Sequence, residues 1–107
     1  MYTWFKAEGF SPTNMQEHTI VETLIADKRV ALVKNKEGIF AFVATCPHAG
    51  APFCDGWLDA RGLLVCPLHK YRFDAASGRN VSGEGYKLKT YPLEIRNDEI
   101  YIGLITT

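Results

Sequence analysis

The chain has 107 residues, which is enough for one domain with a modest core and too few for a second catalytic domain. Lys and Arg together number 12, as do Asp and Glu, and no stretch concentrates one sign, so nucleic acid is not expected as a partner. No window approaches roughly 18 apolar residues and the N-terminus lacks signal-peptide features. We therefore expect a cytoplasmic protein that does not associate with membranes.

The first half of the chain predicts a helical turn followed by three strands. Ser11 followed by Pro12 is typical of a helical turn, here over residues 11–15. Apolar runs separated by turn residues then predict antiparallel strands, with turns at 26–28 and 35–38. The predicted strands are Ile20–Ile25, Arg29–Lys34 and Ile39–Ala44.

The second half also predicts strands only. A small hairpin is expected around the turn at residues 59–62, followed by a short strand at 71–74 and then by strands that complete the sheet begun in the first half. No internal repeat is evident. The expected hairpin strands are Trp57-Leu58 and Leu63-Leu64-Val65, and the last three strands are Lys87–Tyr91, Leu93–Arg96 and Glu99–Ile105.

Two short loops each pair one thiolate donor with one imidazole donor. They are Cys46-Pro47-His48 and Cys66-Pro67-Leu68-His69. The 17 residues between His48 and Cys66 are enough for the chain to make a hairpin and return beside the first loop. The spacing therefore predicts a metal site whose ligands are Cys46, His48, Cys66 and His69.

Two kinds of metal site use two Cys and two His ligands. A structural zinc module is one, although classical zinc fingers pair Cys with Cys and His with His. The other is a [2Fe–2S] cluster with one thiolate-bound and one imidazole-bound iron, in which each mixed loop spans both irons. The mixed loops favour the cluster, and the zinc module is retained as an alternative. An optical spectrum separates them, because zinc is colourless.

The motif Cys46-Pro47-His48-Ala49-Gly50 with Cys66-Pro67-Leu68-His69-Lys70-Tyr71 resembles the cluster motif of Rieske [2Fe–2S] proteins. The small size resembles a Rieske-type ferredoxin. The resemblance implies one [2Fe–2S] cluster, with Cys46 and Cys66 on one iron and His48 and His69 on the other. It also implies an all-β fold, an antiparallel sandwich or barrel formed as one domain over residues 1–107. Its base would span about 1–43 and 79–107, and an inserted cluster-binding subdomain about 44–78.

Departures from the high-potential members of this family concern the cluster surroundings. Those proteins join the two loops by a disulfide, and the corresponding positions here are Ala51 and Leu68. They also donate hydroxyl hydrogen bonds from a Ser and a Tyr, where this chain has Tyr71 and Phe73. Fewer donors leave the reduced cluster less stabilised, so we expect a potential toward the low end of the roughly −150 to +300 mV Rieske range.

The resemblance implies an electron carrier and not an enzyme. We expect a monomeric ferredoxin that relays one electron from a flavin reductase to a terminal oxygenase. The small subunit of an assimilatory nitrite reductase is the alternative; it shares the fold but often lacks some of the ligands. The substrate of the oxygenase is not written in the sequence, because the chain would only relay electrons.

Three cysteines are an odd number, which argues against a disulfide framework. Cys54 is not part of the predicted metal site, and we expect it to be a small buried residue without an assigned role. Trp4 and Trp57 are expected to fill the core, as aromatic residues in small β domains usually do.

Overall fold

The computed structural model describes residues 2–46, 50–68, 70–82 and 87–105. These ranges contain ten strands, one 3₁₀ turn and no α-helix. No helix in them is long and apolar enough to cross a membrane. The predicted all-β class is confirmed. The elements are β1 (Tyr2–Lys6), β2 (Ile20–Ile25), β3 (Lys28–Asn35), β4 (Gly38–Val43), the 3₁₀ turn (Phe53–Asp55), β5 (Trp57–Leu58), β6 (Leu64–Val65), β7 (Arg72–Phe73), β8 (Thr90–Tyr91), β9 (Leu93–Arg96) and β10 (Glu99–Ile105).

The strands form three antiparallel sheets. The central sheet has the order β2-β3-β4-β8, the outer sheet β1-β10-β9 and the small sheet β5-β6-β7. The prediction that the last strands complete the first sheet is right for β8 and wrong for β9 and β10. These two strands pair instead with each other and, through β10, with β1. The sequence pattern did not reveal β1, because no residue of this strand is fully buried and neither of its faces is uniformly apolar.

The central sheet is the middle of three layers, as β3 shows. Residues 30–33 of β3 are all completely buried. Val30 and Leu32 belong to one core, shared with Ile100, Ile102 and Leu104 of the outer sheet. Ala31 and Val33 belong to the opposite core, shared with residues of the small sheet. A strand covered on both faces is a continuous apolar run, which explains the sequence Val-Ala-Leu-Val.

The predicted local turns are confirmed. The hairpin turns at Ala26–Asp27 and Asn97–Asp98 have positive φ at both residues, as two-residue turns between twisted strands require. Residues 11–15 form one helical turn, in which the N–H groups of Asn14 and Met15 both donate to the Ser11 carbonyl at 3.2 Å. These features depend on neighbouring residues only.

The prediction that Trp57 fills the core is wrong. Its side chain is 43% exposed, although it lies on a strand. Trp57 is the cross-strand partner of Val65, which in turn pairs with Arg72, so the three share one face of the small sheet. Val65, on the central strand of this sheet, is completely buried, whereas Trp57 and Arg72 on the two outer strands are exposed. Trp4 is half-buried, with its ring close to the backbone of Gly103.

Candidate metal centre

Residues 44–46 and 50–53 form the two arms of a hairpin that extends β4 and carries Cys46. The Phe53 N–H donates to the Ala44 carbonyl at 2.8 Å, and Thr45 pairs with Pro52. The Cys46 N–H then donates to the Ala51 carbonyl, also at 2.8 Å. Gly50 closes the loop with φ of 73°, and such loops often end in a left-handed residue.

Residues 64–68 and 70–73 form the two arms of a second hairpin, which carries Cys66. Leu64 pairs with Phe73, and Val65 pairs with Arg72. The Cys66 N–H donates to the carbonyl of Tyr71 at 2.9 Å. The residue before this carbonyl is Lys70, whose φ of 57° is again left-handed.

The two hairpins are structurally equivalent over their described residues, where a residue of the first matches the residue 20 positions later in the second. Cys46 matches Cys66, and Gly50 matches Lys70. The prediction that the chain has no internal repeat is wrong for these two hairpins. The signal was a Cys-Pro pair followed by Phe seven residues after the Cys, at Phe53 and at Phe73. The rest of the repeat has diverged, which hides it.

The matched phenylalanines join the two hairpins at their bases. The rings of Phe53 and Phe73 meet edge to face, with centroids 5.9 Å apart. Phe42 of the central sheet contacts Phe53 in the same way at 5.4 Å. All three rings are completely buried, and edge-to-face pairs add roughly 0.5–1.5 kcal/mol beyond burial. The stack fixes the hairpins against each other, and so fixes the positions of the two cysteines.

The thiols of Cys46 and Cys66 lie together in the core. The two side chains are 1% and 0% exposed and hydrogen-bonded to each other. Burial, together with the neighbouring Cys46 thiol, raises the pKa of Cys66 to about 11, although the Leu68 N–H donates to the Cys66 sulfur and acts in the opposite direction. Thiolates in this setting need a positive partner, and a metal ion supplies one. The pair therefore fits the thiolate side of a metal cluster.

The other two predicted ligands, His48 and His69, lie outside the described residues. In the part of the chain that the structure describes, no three potential metal ligands come together, so Cys46 and Cys66 stand as a pair. Cys54 is exposed, and the prediction that it is buried is wrong. It is the middle residue of the 3₁₀ turn, where Phe53 takes the inward side.

Asp59 connects the turn between β5 and β6 to the strand that follows the second cysteine loop. Its Oδ1 accepts hydrogen bonds from the N–H groups of Arg61 and Leu63 at 2.9 and 3.0 Å. Its Oδ2 accepts one from Arg72 Nε at 3.1 Å. Partial burial raises the pKa of Asp59, but these donors outweigh it and hold the pKa below its usual value. The ionised carboxylate therefore stabilises the small sheet.

Comparison with known proteins identifies the family. The model of the Rieske [2Fe–2S] domain matches residues 6–92. The chain belongs to the Rieske [2Fe–2S] domain family. It is 31% identical over 102 residues to the ferredoxin component of the naphthalene 1,2-dioxygenase system from Pseudomonas putida, covering 94% of this chain and 95% of that protein. The resemblance is confirmed, and with it one Rieske-type [2Fe–2S] cluster as the cofactor in place of structural zinc.

Solved Rieske structures share the whole fold. A Mycobacterium tuberculosis protein described as an NADH-dependent nitrite reductase small subunit superposes with a TM-score of 0.86 over 100% of this chain and 99% of that one, at 20% identity. A chain from the complex of reduced oxygenase and oxidised ferredoxin in carbazole 1,9a-dioxygenase gives 0.80 at 25% identity, covering 92% and 91%. The first likeness shows the fold alone.

Proposed function

We propose that the protein is a ferredoxin that carries single electrons from a flavin reductase to a terminal oxygenase. The observation that carries this proposal is the buried thiol pair of Cys46 and Cys66, held at equivalent positions of two hairpins. The surrounding chain aligns over nearly its full length with the ferredoxin component of a dioxygenase system. When bound, the [2Fe–2S] cluster takes up and releases one electron.

The proposed ligands are Cys46 and Cys66 on one iron and His48 and His69 on the other. The described residues support the thiolate half, because both thiols are buried and adjacent. We also propose that residues 44–78 are the cluster-binding subdomain, inserted in a base of residues 1–43 and 79–107. Both hairpins fall within that range.

The residues around the thiols support a potential toward the low end of the Rieske range. Phe73 is completely buried and brings no hydroxyl, whereas the high-potential proteins that the sequence resembles have a donor there. Leu68, at the position of a disulfide cysteine in those proteins, is 46% exposed. The Leu68 N–H still donates to the Cys66 sulfur, so the backbone supplies part of the stabilisation that side chains supply elsewhere.

Reconstitution tests the proposal in two steps. The protein, purified without oxygen, is expected to be red-brown and to hold two irons and two sulfides per chain, as the cluster formula requires. It should then restore product formation when mixed with the reductase and oxygenase of the Pseudomonas putida naphthalene dioxygenase system in place of their own ferredoxin. A colourless protein that contains zinc would contradict the cluster. A loaded protein that the reductase cannot reduce would contradict the relay.

The small subunit of a nitrite reductase is the second candidate. This function is compatible with the fold, since the Mycobacterium tuberculosis subunit superposes on the entire chain, and the shared fold does not distinguish it from a ferredoxin. Affinity purification from the source cells separates the two functions. Recovery of a flavin reductase and an oxygenase supports the ferredoxin, and recovery of a nitrite reductase large subunit supports the alternative.

A further inference from the structure

Lys70 occupies a backbone position that suits glycine. Its φ is 57°, and the equivalent residue of the first hairpin is Gly50, with φ of 73°. In the left-handed region a Cβ crowds the following carbonyl oxygen, so a residue other than Gly, Asn or Asp is unfavourable there. The backbone therefore gives no reason for a lysine at this position.

The charge of Lys70 faces solvent. The residue is exposed, and within the described ranges no carboxylate lies within ion-pair distance of its ammonium group. Arg72, two residues later, is different, because its guanidinium is paired with Asp59 at 3.1 Å. Among the described residues, no carboxylate neutralises the charge of Lys70 as Asp59 does that of Arg72.

An exposed apolar side chain lies in the same loop. Leu68 is 46% exposed, while its N–H donates to the sulfur of Cys66. The loop therefore presents a leucine and a lysine on either side of position 69, next to the buried thiol pair. Apolar contact allows close approach of a partner, and a cation attracts and orients one that carries the opposite charge.

We propose that Lys70 is the docking contact for a carboxylate-bearing face of the protein that exchanges electrons with this ferredoxin. The proposal rests on the proposed electron-carrier function. The ammonium group sits on a flexible stem and is a compact point charge, so it suits a transient contact that must form and dissociate in each electron transfer.

Two inorganic oxidants of opposite charge test the proposal without a natural partner. Hexacyanoferrate(III) is a trianion and tris(1,10-phenanthroline)cobalt(III) is a trication. Each takes one electron from the reduced holo-protein and becomes the iron(II) or cobalt(II) complex, with no proton or covalent bond transferred. Lys70→Asn removes the charge and keeps a residue that tolerates the left-handed backbone. Lys36→Asn is the control, because Lys36 is exposed in the β3–β4 turn, at the end of β4 opposite Cys46.

At low ionic strength Lys70→Asn should slow electron transfer to hexacyanoferrate(III) by about threefold or more and speed transfer to the cobalt complex by a similar factor. Both effects should disappear at high salt, and Lys70→Arg should restore both rates. Lys36→Asn should change neither rate. The midpoint potential of each variant, measured by voltammetry, separates docking from a change in driving force. A change in driving force would move the rates with both oxidants in the same direction.

The proposal is overturned if Lys70→Asn changes the two rates no more than Lys36→Asn does, or if both rates move in the same direction. Failure of the proposed function would look different. In that case the wild-type protein would hold no cluster, or its cluster would exchange electrons with neither oxidant.

Discussion

The two cysteine hairpins use one backbone frame with different residues in it. In each, a cysteine N–H bonds to the carbonyl five residues later, and a phenylalanine lies at the base. The first hairpin extends a long strand of the central sheet, whereas the second lies inside the small sheet. The comparison teaches that the hydrogen bonds and the aromatic base set the cysteine positions, while the residues between them can vary.

Substitution of either cysteine should have the largest effect, and the effect should be the same in the two hairpins. Cys46→Ser and Cys66→Ser are each expected to abolish or severely reduce cluster incorporation, since metal binding is coupled to folding of the loops. His69→Ala should do the same if it is a ligand. Visible absorption and iron content measure the loss. Cys54→Ser is the control and should keep the cluster, because Cys54 is exposed and outside the thiol pair. A Cys66→Ser protein that keeps the full visible absorption and iron content would contradict the assignment of Cys66 as a ligand.

The phenylalanines at the bases should be next in effect. Phe53→Ala and Phe73→Ala each empty a completely buried site, which typically costs about 3–5 kcal/mol of unfolding free energy. Phe53→Ala should cost more, by about 1 kcal/mol, because Phe53 contacts both Phe42 and Phe73. Urea unfolding measures both. Trp57→Ala is the matched control, since that ring is 43% exposed; a Phe73 variant as mild as this control would contradict the aromatic base.

Asp59 distinguishes the second hairpin, because it bonds to a strand of that hairpin. Asp59→Asn should destabilise the protein by roughly 1–3 kcal/mol at pH 7, since it weakens hydrogen bonds to a charged group. The pKa of Asp59 is lowered in the folded state, so its contribution is present above the unfolded pKa, near 4, and is lost as the pH falls through the lower folded value.

Urea unfolding at a series of pH values checks the Asp59 prediction. The difference between wild type and Asp59→Asn should be largest near neutrality and should close in acid. Asp55→Asn is the comparison, because Asp55 is an exposed carboxylate in the 3₁₀ turn. Equal effects of the two substitutions at pH 7 would show that Asp59 does not stabilise the small sheet.

The left-handed positions should show the smallest effect, with opposite signs in the two hairpins. Gly50→Ala should cost about 1 kcal/mol for conformational reasons only, because no heavy atom lies within 4 Å of a Cβ placed there. Lys70→Gly should leave the free energy of unfolding unchanged or raise it by up to about 1 kcal/mol. The substitution relieves the same backbone strain, and its only cost is the larger conformational entropy that glycine loses on folding. Thermal unfolding of the two variants is the measurement. A clear loss of stability in Lys70→Gly would mean that the lysine side chain stabilises the fold itself.

Features that depend on spacing along the chain could be predicted from the amino-acid sequence. The turns at 26–27 and 97–98, the β2–β3–β4 meander and the two Cys-Pro loops were all predicted, because a hairpin or a ligand loop is encoded in a few neighbouring residues. The Rieske family followed from the same loops. The pairing of the cysteines was expected from the loops and became observable only in the buried thiols.

Which side each element buries could not be predicted, because it depends on contacts between distant parts of the chain. The tertiary structure separated β9 and β10 from the central sheet, exposed Cys54 and Trp57, and revealed the match between Phe53 and Phe73. The physical reason is that burial is set by distant partners. A two-residue strand such as β5 has no periodicity of its own, so the packing of the small sheet on Phe42 and the central sheet determines which side chains face water.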